Sequence, residues 1–105
     1  MSNADWESAA AAARARSTGP GVSPIEALRA QSGLTFLQGM IDGRVPRPPI
    51  CDVLNFQLIE VGPGRALFQG TPQAGYYNPL GSVHGGWSAT LLDSCMGCAV
   101  HSALA

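Results

Sequence analysis

At 105 residues the chain has room for one domain at most, and a chain this short buries only about 60–70% of the surface its unfolded form exposes. Six basic and seven acidic side chains give a net charge of −1. Neither sign is clustered, which argues against nucleic acid and against an anionic membrane surface as partners.

Met1-Ser2-Asn3-Ala4 reads as an expression scar, and the polar, alanine-rich stretch behind it lacks the apolar core of a signal peptide. Residues 1–22 show no apolar stripe, although Ala9–Ala13 suits a transient helix, so a disordered N-terminal arm is expected. The domain then begins at Ser23 and runs over 23–105. Ser23-Pro24-Ile25-Glu26 has the form of a helix start, with Ser23 as cap, Pro24 in the first position and Glu26 closing a capping box. Ile25, Leu28, Leu34, Leu37 and Ile41 recur at roughly helical spacing, with a break or kink at Gly33 and an end at Gly43. Pro46-Arg47-Pro48-Pro49 imposes an extended connection. Asp52–Val61 and Arg65–Thr71 read as strands joined by Gly62-Pro63-Gly64, a β-hairpin. A loop over Pro72–Pro79 carries Tyr76, Tyr77 and Asn78 near its end.

A long apolar helix follows His84-Gly85-Gly86. Trp87, Leu91, Leu92, Met96, Val100 and Leu104 cover much of its circumference, which predicts a helix buried on all sides. A hairpin and a short helical segment cannot wrap it, so either partner subunits or further strands beyond Ala105 are expected to do so, the strands being the favoured reading. Asp93, His101 and several hydroxyl residues disqualify Trp87–Leu104 as a membrane span. Cys51, Cys95 and Cys98 make an odd count without a secretory signal, which suits reduced thiols in a cytoplasm. Cys95-Met96-Gly97-Cys98 has C-x-x-C spacing but no second ligand pair, and helix packing accounts for it.

Asp93 lies in this apolar helix with no Lys or Arg within ten residues on either side. Burying an unpaired carboxylate costs several kcal/mol, so such a residue marks a candidate catalytic group; a hydrogen bond to backbone or to a neighbouring subunit is the competing explanation. Gly85 and Gly86 let a ligand carbonyl approach the backbone, and the first N–H groups of a helix are unpaired and lie at its positive end. An oxyanion placed there is stabilised. Gly85 and Asp93 lie about 12 Å apart along one helix at roughly 1.5 Å per residue. They meet only if two antiparallel helices pair across a two-fold axis, which would put the site at a subunit interface.

Asn78-Pro79-Leu80-Gly81-Ser82-Val83-His84-Gly85-Gly86, followed by Thr90-Leu91-Leu92-Asp93, resembles the hotdog-fold acyl-CoA thioesterases, most nearly their phenylacetyl-CoA (PaaI-like) branch. Gly43–Ile50 and the hairpin are similar to the same branch, so the resemblance spans about Leu34 to Ala103. It implies an α+β hotdog fold, a long central helix wrapped by an antiparallel sheet, of which 23–105 would be the N-terminal part. It implies hydrolysis of acyl-CoA thioesters, with aromatic or medium-chain acyl groups, by a homodimer or homotetramer. It further implies Asp93 as nucleophile or general base, the Gly85 amide as oxyanion donor and Asn78 as the side chain orienting water or thioester. His84 would hold the helix entrance, while Gly86, Trp87 and Tyr77 would line the substrate, with Tyr76 beside them. No cofactor or metal is implied, since coenzyme A belongs to the substrate. Many members carry a Ser or Thr either one turn after the carboxylate or on a later strand; this chain has Gly97 one turn on, so such a hydroxyl is expected beyond Ala105. Dehydration or hydration of a hydroxyacyl thioester, and non-catalytic acyl-CoA binding, are the alternative functions on the same fold.

Overall fold

The computed structural model describes residues 2–17 and 19–105. Five α-helices and one antiparallel β-hairpin make an α+β arrangement among these residues. The elements are α1 (Asn3–Arg16), α2 (Ile25–Arg29), α3 (Gly33–Asp42), α4 (Pro49–Val53), β1 (Phe56–Gly62), β2 (Arg65–Gly70) and α5 (Gly85–Ser102), with a 3-10 turn over Ala74–Tyr76.

The expected loose arm is instead largely the helix α1. Ser2 and Asp5 form a capping box, the Asp5 carboxylate accepting from the Ser2 N–H at 3.0 Å and the Ser2 hydroxyl from the Asp5 N–H at 3.3 Å. That satisfies otherwise orphaned amides and fixes the first turn. Ala10 and Ala13, three residues apart, are fully buried, and α1 lies against β1. Small side chains let the helix backbone approach the sheet closely, a docking mode without the large apolar residues that announce an amphipathic helix. Arg16 Nε donates to the Ile41 carbonyl at 3.0 Å, and Gly21 N–H to the Arg47 carbonyl at 2.9 Å, so the end of this segment is tied down too. Met1 and Thr18, which also belong to the expected arm, lie outside the described residues.

Helix α2 starts at Ile25 with Pro24 as its N-cap and no side-chain cap, so the expected Ser23–Glu26 capping box is not formed. Pro24 has an extended ψ of 152°, and the helix is only five residues long. Ser32 caps α3, its hydroxyl accepting from the Thr35 N–H at 3.2 Å. Gly33, Phe36, Leu37, Met40 and Ile41 are buried at i, i+3, i+4, i+7 and i+8, one continuous face. Gly43 ends the helix at φ 86°, a left-handed conformation natural to glycine.

The chain is extended at Pro48, but α4 then forms where a strand was expected to begin, with Pro49 in its first turn. Arg47 grips Asp52 through two hydrogen bonds of 2.6 and 3.1 Å, which pull the carboxylate below and push the guanidinium above their ordinary pKa ranges. Asn55 turns the chain at φ 54° into β1, and its amide donates to the Thr71 carbonyl at 2.8 Å across the base of the hairpin. The strands pair from Phe56 with Gly70 to Gly62 with Arg65, with an irregularity between Leu58 and Glu60.

Phe56, Gln57, Leu58 and Ile59 are all buried, so both faces of β1 are covered. Leu58 joins Phe36, Leu37, Met40 and Ile41 in the core, with Cys98 of α5 packed against it. Neither amide atom of the wholly buried Gln57 has a partner among the described residues. Ser102 fastens the end of α5 to the hairpin turn: its hydroxyl accepts from the Gly64 N–H at 2.9 Å and donates to the Ala99 carbonyl at 2.7 Å. Ser102→Ala removes both bonds at a buried position and is expected to destabilise the fold by about 1–3 kcal/mol, read from the urea midpoint.

Within one chain helix α5 is covered on one side only, as expected of a hairpin and short helices that cannot wrap it. One side packs on α3 and the hairpin, while Leu92, Met96 and Val100 form an exposed row at four-residue spacing, 59, 62 and 67% accessible, with Leu104 just past the helix end also exposed. Asp93 belongs to the exposed side, not to the interior.

Candidate functional site

The loop before α5 is organised by Asn78. Its Oδ1 accepts from the N–H groups of Leu80 (3.0 Å) and Ser82 (3.2 Å), and its Nδ2 donates to Ser82 Oγ at 2.9 Å. The Asn78 N–H donates to the Ser82 carbonyl at 2.8 Å, and Gly81 sits at φ 83° within the turn so formed. Much of the hydrogen-bonding capacity proposed for orienting a substrate is therefore engaged by the loop itself.

His84 is the N-cap of α5. Its Nδ1 accepts from the Gly86 N–H at 2.9 Å, and its own N–H donates to the Tyr76 carbonyl at 2.8 Å. A neutral ring holding Nδ1 as acceptor carries its proton on Nε2. The cap uses the Gly86 amide and leaves that of Gly85, which has no partner among the described residues and stands exposed at the helix N-terminus. No residue beyond its chain neighbours and the backbone of its own helix comes within 4 Å of where a Cβ at Gly85 would stand.

Trp87 is anchored by its indole N–H, which donates to the Leu54 carbonyl at 2.7 Å, and stacks on Tyr76 at 6.4 Å between centroids. Tyr76 Oη donates to the Val53 carbonyl at 2.6 Å. Tyr76, Tyr77, His84, Gly86, Trp87 and Thr90 border an open groove of about 440 Å³.

Asp93 borders a different groove, of about 300 Å³, whose wall includes Met40, Cys51, Phe68, Ser94 and Cys98. Its carboxylate has neither an ion pair nor a hydrogen bond among the described residues. Burial pushes the thiols of Cys51 and Cys98 up to about 11, with the neighbouring Asp52 adding to the effect on Cys51 and Cys95 to that on Cys98. Cys95 Sγ donates to the Ala66 carbonyl at 3.3 Å, and all three cysteines are free.

Within one chain the sequence-derived site residues thus separate into two sets. His84, Gly86, Trp87 and Tyr77 share the first groove, with Gly85 at the adjoining helix start; Asp93 stands alone in the second. Ser94, Cys51 and Phe68 were not among the candidates. Ser94 follows Asp93 directly and its hydroxyl was legible as a neighbour, whereas Cys51 and Phe68 reach the groove only through the tertiary fold. Among the described residues no three His, Cys, Asp or Glu side chains gather as a metal site, and no helix is long and apolar enough to cross a membrane. The chain matches no family model, no curated protein and no solved structure.

Proposed function

We propose that the protein hydrolyses acyl-CoA thioesters, with Asp93 as the catalytic carboxylate and the Gly85 amide as oxyanion donor, on a hotdog-type fold. The observation that carries the reading is the pairing of two unsatisfied groups on one helix, an exposed carboxylate beside an apolar groove and an open N–H at the N-terminus. Asp93 takes a proton from water as that water attacks the thioester carbonyl. The oxyanion that forms accepts a hydrogen bond from Gly85 N–H, and the intermediate collapses with release of the coenzyme A thiolate, which regains the proton. Direct attack by Asp93 through a mixed anhydride uses the same two groups.

The two groups act on one carbonyl when two copies pair their α5 helices antiparallel, Gly85 of one opposite Asp93 of the other. The two-fold axis then passes the midpoint of those positions, Ala89, an exposed residue small enough for close approach. Leu92 and Met96 of the exposed row flank it and supply apolar contact. His84 is assigned to holding the helix entrance and Asn78 to shaping the loop, in keeping with the hydrogen bonds each makes. Three free thiols support a reducing, cytoplasmic setting.

A panel of acyl-CoA substrates that includes phenylacetyl-CoA tests the proposal, coenzyme A release being followed with a thiol reagent. Release well above the buffer rate is expected for aromatic or medium-chain groups. A folded protein that releases none across the panel overturns the reading.

A further inference from the structure

Asp93 does not share a groove with Tyr76, Tyr77 and Trp87, so those aromatics are poorly placed to hold a chain whose carbonyl lies at Asp93 of the same copy. The groove that Asp93 does border has a different character. Met40, Pro48, Ile50, Cys51, Phe68 and Cys98 make an almost wholly apolar wall. Met40 and Cys51 are its most deeply buried members, 4 and 2% accessible. Ile50 stands 42% exposed, toward the rim.

Resting on the thioesterase reading, we propose that this groove between α3, α4, β2 and α5 holds the acyl chain, that it takes an uncharged apolar chain, and that Cys51 sets the chain's length. Size and charge both support this. A volume of about 300 Å³ admits roughly ten non-hydrogen atoms at about 30 Å³ for each water-sized group. Among the described residues Asp93 is the only charged side chain in the wall. Arg14 and Arg47, whose charges are felt at Cys51, do not line the groove, and Arg47 is held by Asp52. A carboxylate at the far end of an acyl chain would find no cation there and would lose its hydration, which selects against dicarboxylic acyl groups.

The native thiols give a readout that does not depend on catalysis. Cys51 and Cys98 line the groove, whereas Cys95 on the same helix as Cys98 does not. The protein is alkylated with N-ethylmaleimide at mildly alkaline pH, and each cysteine is followed by mass spectrometry with and without S-decyl-coenzyme A, a thioether it cannot cleave. At ten times the dissociation constant of this analogue, alkylation of Cys51 and Cys98 is expected to slow about tenfold, with Cys95 unchanged. The analogue with a terminal carboxylate on its chain is expected to protect neither. In parallel, Cys51→Leu is expected to shift the preferred acyl length downward, lowering kcat/KM for the ten-carbon chain at least about tenfold relative to a six-carbon chain, and Cys51→Ala to shift it upward.

Asp93-dependent release of coenzyme A without protection of Cys51 and Cys98 would overturn the groove assignment and leave the thioesterase standing. Protection without release would retain the groove and overturn the thioesterase. Equal protection by the carboxylated analogue would overturn the uncharged class, and an unchanged length profile in both folded Cys51 variants would overturn the role of that residue.

Discussion

Asp93→Asn is expected to lower turnover of the best acyl-CoA substrate by about two to four orders of magnitude, the range lost with a positioned acid–base group. Asparagine keeps the size of the side chain and removes its capacity to take a proton or to attack a carbonyl. The fold supplies a clean background for this comparison. Asp93 is exposed and makes no hydrogen bond or ion pair among the described residues, so the change is expected to alter stability by no more than about 0.5 kcal/mol. Thermal unfolding of both proteins, beside their kcat and KM, checks that activity and not folding was lost. A correctly folded Asp93→Asn protein with undiminished activity removes Asp93 from the chemistry.

Gly33→Ala is expected to destabilise the fold strongly. Gly33 begins α3 where that helix meets the end of α5: its N–H donates to the Leu104 carbonyl at 3.1 Å, and an added Cβ would overlap the backbone carbonyl of His101. Backbone cannot swing aside as the tip of a lysine can. The methyl must therefore push α5 off α3, disturbing the edge-on contact of Phe36 with the His101 ring at 6.0 Å. Overpacking of this kind costs about 1–3 kcal/mol, at times more. In a chain of this size each 1 kcal/mol lowers Tm by about 4–8 °C. Gly75→Ala is the matching control, since a Cβ there meets nothing within 4 Å. Calorimetry or a circular dichroism melt distinguishes the two, and equal melting of both variants contradicts the close α3–α5 approach.

Gly43 as a helix end, the hairpin around Pro63-Gly64 and the helix behind His84 were legible because each follows from local chemistry: a left-handed stop, a turn and a cap. Helix α1 was not. Its docking rests on Ala10 and Ala13, and alanine contributes too little hydrophobic contrast for a stripe to stand out. Asp52 and Val53 suited a strand by their neighbours, but Pro49 in the first helical turn and the Arg47–Asp52 pair turn that stretch into α4. The surroundings of Asp93 within a single chain were legible only in part. A helix rich in apolar residues looks buried all round in sequence, whereas here Leu92, Met96 and Val100 line up on an exposed side. Asp93 and Gly85 were legible as candidates; the cysteine-walled groove was not, because Cys51 and Cys98 are brought together only by the packing of α4 and α5.

Trp6 and Trp87 border one open groove, with Phe68 and Leu91 between α1 and the hairpin. The molecule thereby carries its own optical gauge. Trp87, half-buried and fixed to the Leu54 carbonyl, reports on the junction of α5 with the strand base, while Trp6 rides on the helix that lies over the sheet. Lifting α1 wets Trp6 and leaves the Trp87 anchor in place, so emission from Trp87→Phe and Trp6→Phe proteins separates undocking of the N-terminal helix from collapse of the whole core.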